Sequence, residues 1–167
     1  MEVLTSEYEI AKIEDSKLIP RDGTLLWVWH ADKTPSHIGI SIKGSYYSLK
    51  ANGKDEGLVL SLIESIVEKK KIKTLVFSLD REFLIEEINT VFSQFTETVP
   101  LKTTCLNPIK SLLNFNEVGK LSELLSTLDA NGLISGVYGY NIDNQFGGLK
   151  KYTEQDIHSR LEKLRDE

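Results

Sequence analysis

One cysteine and three histidines are the side chains of this chain best suited to nucleophilic or acid–base work: Cys105, His30, His37 and His158. Cys105 is followed by Leu106-Asn107-Pro108-Ile109. Proline fits only the first turn of a helix, because deeper in its ring clashes with a preceding carbonyl, so Pro108 places Cys105 at a helix start. There the unpaired N–H groups and the helix dipole favour a thiolate and can hold an oxyanion. Its polar neighbours Thr103, Thr104 and Asn107 argue against the plainer reading of a small buried hydrophobe. His37 is the candidate base and Ser48, across a tight turn, the candidate group to orient its imidazole, the two partners a thiol nucleophile needs. His30 is an alternative base, and His158, set among Asp156 and Arg160, reads as solvated.

The elements that must position these residues follow from periodicity. Leu25-Leu26-Trp27-Val28-Trp29 reads as a buried strand after the Asp22-Gly23 turn. His37-Ile38-Gly39-Ile40-Ser41-Ile42 alternates strictly, with the isoleucines facing one side and His37, Gly39 and Ser41 the other. Lys43-Gly44 turns the chain into a third strand over 45–51. A helix over about 56–70 is predicted next, then a strand over 72–79. Asp80 is the expected N-cap of a further helix carrying Phe83, Ile88 and Phe92. Helices are also expected from Cys105, over 118–128 and over 153–167, whereas 133–148, rich in Gly and Tyr, gives no assignment. Ile38, Ile40 and Ile42 are expected to pack on Phe83, Ile88 and Phe92. Trp29, Tyr46 and Thr104 are the candidate substrate-binding residues; for the two aromatics, core packing is the plainer alternative.

Composition narrows the classes. The chain has 167 residues, 40% hydrophobic and 27% charged, which suits a single globular domain over 1–167, with a core at about 21–115 and a helical C-terminal extension at 116–167. A net charge of −5 with no basic stripe gives no case for a nucleic-acid partner. Lys69, Lys70, Lys71 and Lys73 complement the end of a helix dipole. No run is long enough to span a membrane, and Met1 to Glu7 does not read as a Sec signal, so a cytoplasmic protein, or one secreted by another route, is expected. One cysteine cannot close an internal disulfide, and no metal site or cofactor is expected from so few, scattered ligands.

Taken together, Ser36-His37-Ile38-Gly39-Ile40, Gly44-Ser45-Tyr46-Tyr47-Ser48-Leu49 and Thr104-Cys105-Leu106-Asn107-Pro108-Ile109 resemble the circularly permuted branch of the NlpC/P60 superfamily, which includes permuted amidase-like and lecithin:retinol acyltransferase-like proteins and cysteine domains of bacterial effectors. The likeness spans about 25–113. It implies an α+β fold with a papain-like core, a small antiparallel sheet packed on helices. It puts Cys105 at the nucleophile position, His37 at the base position and Ser48 at the third, where many relatives carry His or another polar residue. The implied activity is that of a thiol hydrolase, amidase or acyl-transfer enzyme acting on an amide, isopeptide or thioester bond. A peptide or protein would be the substrate, or a peptidoglycan peptide if the chain is exported. The alternative is a catalytically degenerate relative serving as a protein-interaction or immunity-type module.

Overall fold

A computed structural model of the chain describes residues 6–33, 35–150 and 154–165. The fold is mixed α+β, built on a seven-stranded, mostly antiparallel sheet. In chain order the strands are β1 (Ser6–Glu9), β2 (Glu14–Asp15), β3 (Thr24–Trp29), β4 (His37–Ile42), β5 (Ser45–Lys50), β6 (Gly53–Val59), β7 (Thr74–Leu79), β8 (Ile134–Tyr140) and β9 (Gly148–Lys150). The large sheet runs β2-β8-β7-β3-β4-β5-β6, with β2 parallel to β8 and every other pair antiparallel; β1 and β9 form a separate ladder. The helices are α1 (Leu60–Lys69), α2 (Ile85–Phe92), α3 (Leu106–Leu113), α4 (Leu121–Ala130) and α5 (Glu154–Arg165).

β3 is a continuous apolar run because both faces of the sheet are covered. Leu25 and Trp27 pack with Leu60, Ile63 and Val67 of α1, whereas Leu26 and Val28 belong to a larger cluster with α2, α3 and α4. The isoleucines of β4 join that larger cluster, where Phe83, Ile88 and Phe92 also lie, as the alternation requires. Lys43 and Gly44 both have positive φ, the conformation that lets a two-residue turn match the twist of a hairpin.

Four expectations need correction. The helix expected from residue 56 begins only at Leu60, since 53–59 form an edge strand. Its sequence, Gly-Lys-Asp-Glu-Gly-Leu-Val, hides the strand: two glycines and three charges break the alternation, although charge is what shields an open edge. Asp80 does not cap α2. The helix starts four residues later, with Leu84 at the cap and the Glu87 carboxylate accepting the Leu84 N–H at 3.0 Å. Between them Arg81 turns away to donate to the Leu113 carbonyl at the end of α3 and lies over the Phe83 ring. The sheet is not small. Finally, residues beyond 116 are not a helical extension alone, because β8 lies inside the main sheet between β2 and β7. Gly136 and Gly139 disguise that strand, yet each is needed: a Cβ would run into the Tyr138 ring at the first and into Ile13 at the second.

Candidate functional site

β4 carries the key geometry. Its ladder with β3 continues to the Trp29–His37 pair, but its ladder with β5 ends at Ile40–Tyr47. Past that point β5 turns its pairing to β6 alone, as far as Lys50–Gly53. The first three residues of β4 therefore lack the partner that a central strand normally has, and α3 meets β4. Cys105 occupies the N-cap position of α3, half-buried against the isoleucine-side core. Its sulfur comes within the influence of the Ile38 N–H and of its own. His37 lies on the other face of the strand by alternation, beside Trp29. Both residues line one cavity of about 1040 Å³.

The start of α3 is organised locally. Thr104 donates its N–H to Asn107 Oδ1 at 2.7 Å, and its Oγ1 accepts the Leu106 N–H at 3.2 Å. Thr104 thus supplies the capping oxygen, and the Cys105 side chain is left without a capping bond and turned to other contacts.

Electrostatics set the resting protonation. Burial pushes the Cys105 thiol up, outweighing the two backbone N–H groups that favour the thiolate. Burial likewise brings His37 down to about 4, against the carboxylate of Asp55, which raises it, and with Lys50 and His30, which lower it further. At neutral pH the site therefore holds a thiol and a neutral imidazole, not an ion pair.

A hydrogen-bonded row on β5 and β6 flanks the imidazole. The Trp29 indole N–H donates to the Tyr46 hydroxyl at 2.7 Å, and Ser48 Oγ donates to Asp55 Oδ2 at 3.1 Å. Ser48 also bears on the Tyr46 hydroxyl, while Lys50 pairs with the other oxygen of Asp55 at 3.0 Å. Gly39 belongs to this row through space: the Tyr46 phenol lies directly over its Cα, where any side chain would collide with the ring.

Of the residues singled out in the sequence, Cys105, His37 and Thr104 line the cavity. Ser48 is fully buried and its hydroxyl goes to Asp55. Trp29 and Tyr46 are outside the lining among the described residues, and Tyr46 is 1% exposed, so its ring is core. His30 sits exposed at the cavity edge with φ 52°. His158 is engaged, its Nδ1 accepting the Leu101 N–H at 2.6 Å.

Asp55 is the charged group that sequence reasoning missed. It lies on β6, where glycines and charges conceal the strand that sets it opposite Ser48. No family model, no curated protein and no solved structure matches this chain.

Proposed function

We propose that the chain is a thiol hydrolase or acyl-transfer enzyme of permuted papain-like design, with Cys105 as nucleophile and His37 as base. The observation that carries this reading is the meeting of the α3 start and the β4 start at one cavity, with the Ile38 N–H beside the sulfur. A neutral imidazole is a competent base, and a protonated thiol needs one. In the reaction His37 takes the thiol proton as sulfur attacks the carbonyl carbon of an amide, isopeptide or thioester. The imidazolium then returns that proton to the departing amine or thiol. Water, or a second nucleophile, releases the acyl group from Cys105 and restores the thiol. The Ile38 and Cys105 N–H groups, which bear on the sulfur, are the donors this scheme assigns to the transient oxyanion. In this scheme Asp55 replaces Ser48 as the group that steadies the charged imidazole, with Ser48 holding the carboxylate.

The raised thiol favours a second reading, an interaction module that keeps the fold without the chemistry. Acylation by 4-nitrophenyl acetate, followed by mass spectrometry, separates the two. The proposal expects an acetyl adduct on Cys105 whose formation rate rises with pH through about 4, as His37 loses its proton. The His37→Asn variant should react about a hundredfold more slowly, the low end of general-base contributions. Equal rates for the two proteins would remove the dyad and leave the interaction module in front.

A further inference from the structure

The Cys105–His37 cavity has one wall that the rest of the fold holds loosely. Ile157, Arg160, Leu161 and Lys163 of α5 line it, together with Leu106 and Leu121 from the starts of α3 and α4. Ile157 and Leu161 lie about one turn apart on one helix face and are the only buried side chains among residues 155–163; six others there are exposed and His158 is half-buried. Each of α1 to α4 shares a zone of close backbone contact with another element, and α5 shares none of that extent. At 12 residues it is near the length at which a helix alone is marginal in water, so what it buries against the cavity has to keep it folded and in place.

A second observation ties this helix to the nucleophile. The turn that leads directly into Thr104 and Cys105 is closed by the Val99 N–H donating to the Thr103 carbonyl and the Thr103 N–H donating to the Val99 carbonyl, both at 2.8 Å. The Leu101 N–H takes no part in that closure and donates instead to His158 Nδ1 at 2.6 Å. Leu101 has φ 67°, and its side chain is 66% exposed. A bulky residue in the left-handed region is strained, and a leucine this exposed recovers little of that strain by packing. The turn thus keeps an unfavourable conformation at the tip that meets α5.

We infer that α5 is a lid over the Cys105–His37 cavity, latched by the Leu101–His158 hydrogen bond and free to lift while the sheet and α1 to α4 stay folded. Opening gives up the burial of two aliphatic side chains and one hydrogen bond. It returns the conformational freedom of a short helix and relieves Leu101. Elements that gate reaction sites come from this low-stability end of a fold. The inference rests on the thiol-site reading for what the lid guards, an acyl group on Cys105 kept from water while α5 is down. Access to the sulfur is a property of the chain whether or not it transfers acyl groups.

Alkylation of Cys105, the sole cysteine, by a small and a bulky reagent tests this on the whole chain. Iodoacetamide reaches a half-buried sulfur through the closed cavity, whereas fluorescein maleimide needs the lid raised; both rates are taken relative to a free-thiol peptide. The native protein should hold back the bulky reagent more than the small one. His158→Ala should speed the bulky reagent at least about threefold, the shift in opening that loss of one net hydrogen bond produces, and leave iodoacetamide nearly unchanged. His158→Asn keeps an acceptor oxygen near the place of Nδ1 and should stay close to native. Hydrogen exchange needs no variant: the amides of α5 should exchange together and ahead of those of α3 and α4. Equal hindrance of the two reagents in the native protein would overturn the inference, as would α5 exchanging in step with α3. An alanine variant that leaves the bulky reagent unchanged or speeds both alike, or an asparagine variant that behaves as alanine, would do the same. Acylation by 4-nitrophenyl acetate is read separately, so the lid can fail while the dyad stands, and the reverse.

Discussion

The two faces of β4 are held in place by different physics, although they alternate residue by residue along six positions. On one side Ile38, Ile40 and Ile42 are nearly or wholly buried among aliphatic and aromatic side chains of α2, α3 and α4. On the other, Ser41 accepts the Trp27 indole N–H at 2.9 Å, Gly39 lies under the Tyr46 phenol, and His37 sits beside a carboxylate it does not itself contact through any hydrogen bond described above. The first face depends on volume and tolerates any close-fitting apolar neighbour. The second depends on direction, because each buried donor needs one particular acceptor. The second face holds its polar groups through fixed partners, while the first supplies rigidity and carries Cys105 at its margin.

Neighbouring residues break the two faces separately. Ile40→Ala should cost about 2–5 kcal/mol, the usual range when a large aliphatic side chain leaves a cavity in a packed core. Ser41→Ala removes one small hydroxyl and should cost about 1–3 kcal/mol, because the Trp27 N–H is left buried without an acceptor. Urea unfolding at pH 7 measures both. If Trp27→Phe is added to Ser41→Ala, part of the hydrogen-bond penalty should disappear, so the double variant should show clear non-additivity; strict additivity would mean that the bond contributes nothing.

A single titration separates the faces next. His37 has a lowered folded-state value of about 4 against 6.5 for the free side chain, so the unfolded chain takes the proton first. The stability tied to the neutral imidazole is complete above about pH 6.5 and drains away as pH falls toward 4. The difference amounts to roughly 3 kcal/mol for one group shifted by this much. Unfolding free energies at pH 7 and pH 4 should therefore fall more steeply for the native protein than for His37→Asn. Parallel pH dependences would show that the imidazole is not held neutral in the fold.

The same contrast explains what was legible in the sequence. Apolar periodicity places the isoleucine face, the Lys43-Gly44 turn and the start of α3 correctly, since each leaves a residue-type signal in a short window. The polar face is written across strands far apart in the chain, so its partners are not readable from any local window. The β4–β5 hairpin alone points to Ser48 as the partner of His37, but its hydroxyl is taken by Asp55 from a strand whose glycines and charges conceal it. β8 escaped for a related reason: glycines kept for close approach to Tyr138 and Ile13 erase the alternation that marks a strand.

The smallest expected effect is also the one that most directly tests whether the polar row reaches His37. Asp55 and Lys50 form a partly exposed ion pair, and pairs of that kind are worth about 0–1 kcal/mol. Asp55→Asn should accordingly change stability at pH 7 by less than about 1 kcal/mol, and Lys50→Met by no more. Their effects on His37 should be opposite in sign. The Asp55 carboxylate favours the imidazolium, so its loss should move the titration midpoint below about 4, whereas the Lys50 ammonium opposes the imidazolium, so its loss should move the midpoint up. Following the His37 ring resonances by NMR against pH reads both shifts without reference to activity. Burial acts equally in all three proteins, so it cannot produce a divergence. Two variants that titrate together with the native protein would show that the row ends at Ser48, and Asp55 would lose its place beside the base.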